Sequence, residues 1–284
     1  MPAFKKEFKC SNFGLSYHCV GDFYRPQCIP QIALLVIRVI IALYTTASML
    51  ADMVDFFETK SNGGRWFVFF TSWNYLTCVF YFILVTIGTI SYYSKKRQGC
   101  DPDVPMSSMN PNQYASTTDM LESGSPDLST ESEEHLGNRL SCYEKIIWLF
   151  FNISIAVCTL VVASYWIVLF DGSQDLDFFN IDRHGIILAM VLIDFSLHRI
   201  PYRVLHFVYP MIFFILYFIF HVIYSFASED VIYSPINWQD NPTKAGILFL
   251  VIIVLSGVFH FVFYWIDYGK KLLGEKCCQT NTMA

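Results

Sequence analysis

Charge is what this chain has least of. Charged side chains make up 15% of its 284 residues, against about 25% in an ordinary soluble domain, and they sit in short clusters between long apolar runs. A soluble fold of this size is excluded. The net charge is -5 with no basic footprint, so nucleic acid is excluded as a partner. Accessible glycosylation sequons are missing as well: Asn152-Ile-Ser154 lies inside an apolar run, and Asn241-Pro-Thr243 is blocked by proline. Cys10, His18, Cys19 and Cys28 match no zinc spacing, so neither a metal nor a cofactor is implied. A ring of like charge, an inverted repeat and a pair of broken helices are all lacking, which ranks a channel or transporter last. No small-residue cleavage signature precedes the first long apolar run, which is expected to act as its own insertion signal.

What is present is a set of apolar runs long enough for a bilayer, whose ~30 Å core takes about 20 helical residues. Hydropathy places spans at 32–50, 66–92, 146–169, 184–197, 205–226 and 245–268. The fourth is short and carries Asp194, so it needs separate support. Lysine and arginine placement supplies it. With six spans, 14 of these residues fall on the side of the two termini and four on the other, as the positive-inside rule requires of cytoplasmic termini. Removing the fourth span would carry Lys270, Lys271 and Lys276 outside. The expected fold is therefore all-α, a polytopic six-helix transmembrane bundle with both termini cytoplasmic.

The expected organisation is a cytoplasmic segment 1–28, two spans within 29–93, a loop 94–143, four spans within 144–268 and a cytoplasmic tail 269–284. The loop is acidic from Gln98 to Asn138, has no Lys or Arg there and is rich in Ser, Thr and Pro, a composition that cannot bury enough apolar surface to order itself. It reads as a disordered linker; Ser125-Pro126 and the Ser129 to Glu134 run also suit phosphorylation and protein partners. None of the nine cysteines falls in a predicted outer loop, so no disulfide framework is implied. Cys277 and Cys278, just past the last span, suit S-palmitoylation; two solvated thiols are the alternative.

Ionisable groups inside a bilayer cost about 2.5–3.5 kcal/mol each on insertion scales and call for a partner. Arg38 on the first span and Asp194 on the fourth sit at matching depth, so they are expected to pair and hold those helices together. Nearer the outer side gather Asn74, Thr77, His184 and His221. A hydroxyl beside an imidazole can be activated as a nucleophile, which makes Thr77 and His184 a candidate catalytic pair. The alternative is structural, with Thr77 bonding its own helix and the histidines joining helices. His260 reads as a helix contact, His198 and His206 as head-group contacts, and most tryptophans as interfacial anchors.

Several blocks resemble the rolling stone family of multipass membrane proteins. They are Phe69-Phe70-Thr71-Ser72-Trp73-Asn74-Tyr75-Leu76, His184-Gly185-Ile186 through Leu192-Ile193-Asp194, Pro201-x-Arg203-x-x-His206, and Ile232-Tyr233 followed by Asn237-Trp238. The resemblance runs from about Phe23 to Tyr268 and implies a plasma-membrane protein acting in cell fusion or adhesion, since the family's namesake is associated with myoblast fusion. The same blocks are more distantly similar to the androgen-induced protein family, membrane-embedded hydrolases of fatty-acid esters of hydroxy fatty acids. That resemblance implies Thr77 as nucleophile, His184 as base and a lipid ester as substrate. The family's second histidine, three residues before the catalytic one, is Ile181 here.

Overall fold

The computed structural model describes residues 7–17, 19–59, 63–97, 140–170, 172, 176–228 and 230–281. The acidic loop with its serines and His18 lie outside the described residues, as do the side chains of Cys277 and Cys278. Six helices carry the fold: α1 (Gln31–Thr59), α2 (Phe70–Arg97), α3 (Cys142–Ser164), α4 (Ile187–Leu197), α5 (Val208–Ser228) and α6 (Pro242–Asn281). Five of the helical runs are long and apolar enough to cross a membrane. Helix α3 packs against α2, α4, α5 and α6 and is apolar nearly all round, as a central helix must be.

The fourth run is longer than hydropathy suggests. An α-helical turn Phe178–Ile181 and a π-helical turn Asp182–Ile186 feed into the 11-residue α4, so the chain is helical without a break from Phe178 to Leu197. At ~1.5 Å per residue that path is about 30 Å long, the thickness of a bilayer core. Hydropathy misses its first turns because Asp182 and Arg183 interrupt the apolar pattern. Two other boundaries also shift. Trp66 belongs to a 3₁₀ turn, Gly63–Val68, and α2 begins only at Phe70. Helix α6 continues to Asn281, well beyond the expected end at residue 268.

The helices are inside-out amphipaths. On α1 the buried positions Arg38, Ala42, Thr45, Ser48 and Asp52 recur every three or four residues, whereas Val36, Ile40, Leu43, Leu50 and Val54 are exposed. Helix α5 repeats this, burying Pro210, Phe214, Tyr217, His221 and Ser225 and exposing Ile212, Leu216, Ile219 and Ile223. Such a pattern suits a lipid solvent, in which apolar faces need no cover and polar groups join the helices.

At the end of the bundle that carries both termini, the segment before α1 folds back into the core. Phe23 and Tyr24 are buried, Gln27 donates its backbone N–H to the Leu197 carbonyl at 2.9 Å and its own carbonyl accepts from Arg199 Nη2 at 3.4 Å, and Arg203 lies over the Trp148 ring at 5.0 Å. Tyr24 fits a groove left by Gly88: a Cβ there would stand 2.5 Å from Tyr24 Cε1. Its hydroxyl donates to Glu144 at 2.9 Å, and burial together with that carboxylate raises the phenol's pKa. Gly88→Val is expected to expel Tyr24 and cost about 1–3 kcal/mol, read as a lower unfolding temperature in detergent; an unchanged midpoint would mean that the groove is not filled by Tyr24.

Histidines and tryptophans depart from their expected places. His198 and His206 are fully buried rather than at head groups. His198 Nδ1 accepts from the Ile200 N–H at 3.0 Å, which leaves the proton on Nε2, and burial with Lys270 and Arg38 nearby lowers its pKa well below the ordinary value. Trp66 and Trp148 are core residues, not anchors; their indole N–H groups donate to Asp52 at 2.9 Å and to the Pro201 carbonyl at 2.7 Å. His260 does join elements, with Nδ1 2.8 Å from the Tyr202 hydroxyl.

Candidate functional site

Two aspartates hold α4 in the bundle. Near the terminal end, Arg38 Nε donates to Asp194 Oδ1 at 2.8 Å with both side chains fully buried. Arg38 Nη1 donates to Thr89 Oγ1 at 2.7 Å and to the Phe23 carbonyl at 3.1 Å, while Tyr81 donates to Asp194 Oδ2 at 2.5 Å. A buried charge pair depends on its remaining polar atoms also finding partners; this one draws them from α1, α2, α4 and the N-terminal segment, and Arg38 Nη2 is left buried without one.

Near the opposite end Asp182 is fully buried. It accepts from Tyr44 at 2.8 Å and Ser48 at 2.7 Å, both on α1, and from Tyr75 on α2. Beside it, Asp52 takes Trp66 Nε1 and lies 3.4 Å from Arg183 Nε. This network went unread in the sequence, since Asp52 and Asp182 both fall just outside the hydropathy spans. A signal for it was present: Tyr44, Ser48 and Asp52 are spaced four apart on one helical face.

Next to this network two π-helical turns face a common space. One is Asp182–Ile186; the other, Tyr165–Leu169, ends the α3 run. Such turns are rare and often mark functional sites. The His184 ring stacks on Tyr165 with centroids 3.6 Å apart and planes 5° apart, and Trp166 Nε1 donates to the His184 carbonyl at 2.6 Å. Both rings line a cavity of about 170 Å³ bounded by α3, α5, α6 and the Tyr233–Ile236 stretch. Its wall is almost wholly apolar, and His184 Nδ1 has no hydrogen-bond partner in the protein.

The proposed catalytic residues have different partners. Thr77 Oγ1 donates to the Trp73 carbonyl of its own helix at 2.8 Å, and Thr77 is not among the residues lining the cavity that His184 faces. The hydroxyl-bearing side chains that do share that wall are Thr71, Ser164, Tyr165, Tyr217 and Tyr233. His221 stands behind Tyr233, its ring near-parallel to the tyrosine's, and its Nδ1 accepts from Trp238 Nε1 at 2.9 Å. Asn74 lies 3.8 Å from the Cys78 thiol through Oδ1. Among the described residues no group of three or more His, Cys, Asp or Glu is arranged to hold a metal ion.

The sequence model of the family described as Protein rolling stone matches residues 125–278, more than half of the chain. The chain belongs to the rolling stone family. It is also 24% identical over 278 residues to the Protein rolling stone of Drosophila melanogaster, an alignment covering 93% of this chain and 86% of the fly protein. No solved structure matches it. Family membership together with the apolar helices makes this a multipass membrane protein, and the family match spans both π-turns and all of α3 to α5.

Proposed function

We propose that this rolling stone protein acts at the plasma membrane in cell fusion or adhesion, myoblast fusion above all, without being an enzyme. The similarity to the Drosophila protein along 93% of the chain carries the reading. Stable protein complexes bury about 800 Å² per partner, and the connections after α1, before α4 and after α5 are short, so partner proteins would supply most of any adhesive surface. The acidic loop, on the cytoplasmic side in this reading, offers a second place for protein partners. Deleting the gene in a fusing muscle culture should reduce multinucleated cells, with rescue by the intact protein; normal multinucleation would sink the proposal.

A second reading is an intramembrane hydrolase of fatty-acid esters, supported by an apolar cavity with His184 in its wall. Thr77 would attack the ester carbonyl as His184 takes its proton, the C–O bond to the alcohol would break with that proton passing to the departing hydroxyl, and water would then hydrolyse the acyl-threonine. This requires the Thr77 hydroxyl to leave the Trp73 carbonyl and to reach the cavity that it does not line. A fluorophosphonate probe should then label the purified protein and lose its target in Thr77→Ala. Absence of both labelling and ester turnover would remove this reading.

A further inference from the structure

The cavity between α3, α5 and α6 presents an open side. Val168 on the α3 run and Val251 and Leu255 on α6 line it yet are exposed, so its mouth lies between those two helices, on faces that meet lipid. At about 170 Å³ it slightly exceeds the ~150 Å³ apolar cavity that holds a benzene ring. One segment of a single hydrocarbon chain fits; two acyl chains do not.

Polarity narrows the occupant further. Among the described residues no Lys, Arg, Asp or Glu lines the wall; Arg183, next to His184 in the chain, is engaged with Asp52, and Arg65 with Asp230. A carboxylate or phosphate head would enter this space unpaired, at a large desolvation cost. His184 is only 7% exposed and its ring makes no hydrogen bond to the described residues; Nδ1 is wholly enclosed, so the nitrogen open to a ligand is Nε2. An apolar cavity of this kind stays dry, so water does not satisfy it. A buried polar atom left unpaired is costly. A neutral hydroxyl removes that cost and brings no charge.

We propose that the cavity binds a neutral, hydroxyl-bearing, single-chain lipid of monoacylglycerol or long-chain alcohol type, which enters sideways between α3 and α6 and hydrogen-bonds His184. The chain occupies the apolar part around Leu160, Phe214 and Ile252, with the remainder of the tail passing out between the helices. Binding of this kind needs no turnover and is independent of both the fusion and the hydrolase readings.

The test uses the full-length protein in detergent and a diazirine analogue of monooleoylglycerol, with labelled peptides mapped by mass spectrometry. Labelling should saturate, fall on the α3 and α6 segments at the cavity mouth, and be displaced by unlabelled monooleoylglycerol but not by oleate. His184→Phe should weaken apparent affinity about tenfold, the equivalent of one lost buried hydrogen bond. Leu255→Trp, which fills the mouth from an exposed position, should abolish labelling while the protein still elutes as a single species. If it does not, the displacement experiment on the unaltered protein decides. Equal displacement by oleate, or labelling that never saturates, would overturn the proposal.

Discussion

Arg38→Leu or Asp194→Leu alone is expected to deplete folded protein severely. Removing one partner of a buried pair leaves the other charge without compensation, at a cost of about 3–5 kcal/mol. That is a large fraction of the roughly 5–15 kcal/mol by which a folded domain is stable. Either charge is here fully enclosed, and the lost bonds reach the Phe23 carbonyl as well as Thr89 and Tyr81, so the N-terminal segment should loosen along with α1 and α4. The double change to leucine removes both charges and should recover much of the loss, since two apolar groups can replace a buried ion pair. Monodisperse yield by fluorescence size-exclusion reads the cycle. A double variant no better than the worse single would mean that the two residues act separately.

Asp182→Leu is expected to be of similar severity for a different reason. Tyr44, Ser48 and Tyr75 all donate to this one carboxylate; Ser48 and Tyr75 are buried, and each of their hydroxyls left without an acceptor costs about 1–3 kcal/mol, whereas the half-buried Tyr44 can turn to water. Asp182→Asn keeps one acceptor oxygen and should retain part of the stability. The order wild type, Asn, Leu in detergent unfolding midpoint is the expected result. A leucine variant as stable as wild type would show that the three donors find other acceptors, and α4 would then not be held at this end.

Composition and charge placement were enough to read an all-helical membrane bundle, because long apolar runs and clustered lysines follow directly from a bilayer solvent. The Arg38 and Asp194 juxtaposition was legible for the same reason: few charges lie within spans, and these two share a depth. The reading ran out where a polar residue is buried by neighbours distant in sequence. Asp182 and Arg183 look like the end of a loop until Tyr44, Ser48, Tyr75 and Asp52 are placed around them. His198, His206, Trp66 and Trp148 sit at span boundaries in the sequence, where head groups are the default environment, and only the returning N-terminal segment and the 3₁₀ turns enclose them. The cavity was not legible either, because the departure from α-helical geometry in two π-turns leaves no mark in hydropathy.

Every part of this arrangement depends on the Phe178 to Leu197 path crossing the membrane, which carries both anchoring aspartates and presents His184 to the cavity. The most direct measurement is the sidedness of the two chain ends. Epitope tags at the N-terminus and the C-terminus should both stay hidden in intact cells and both stain after permeabilisation, as six crossings require. A C-terminal tag that stains in intact cells while the N-terminal one does not would mean five crossings, and would contradict the account.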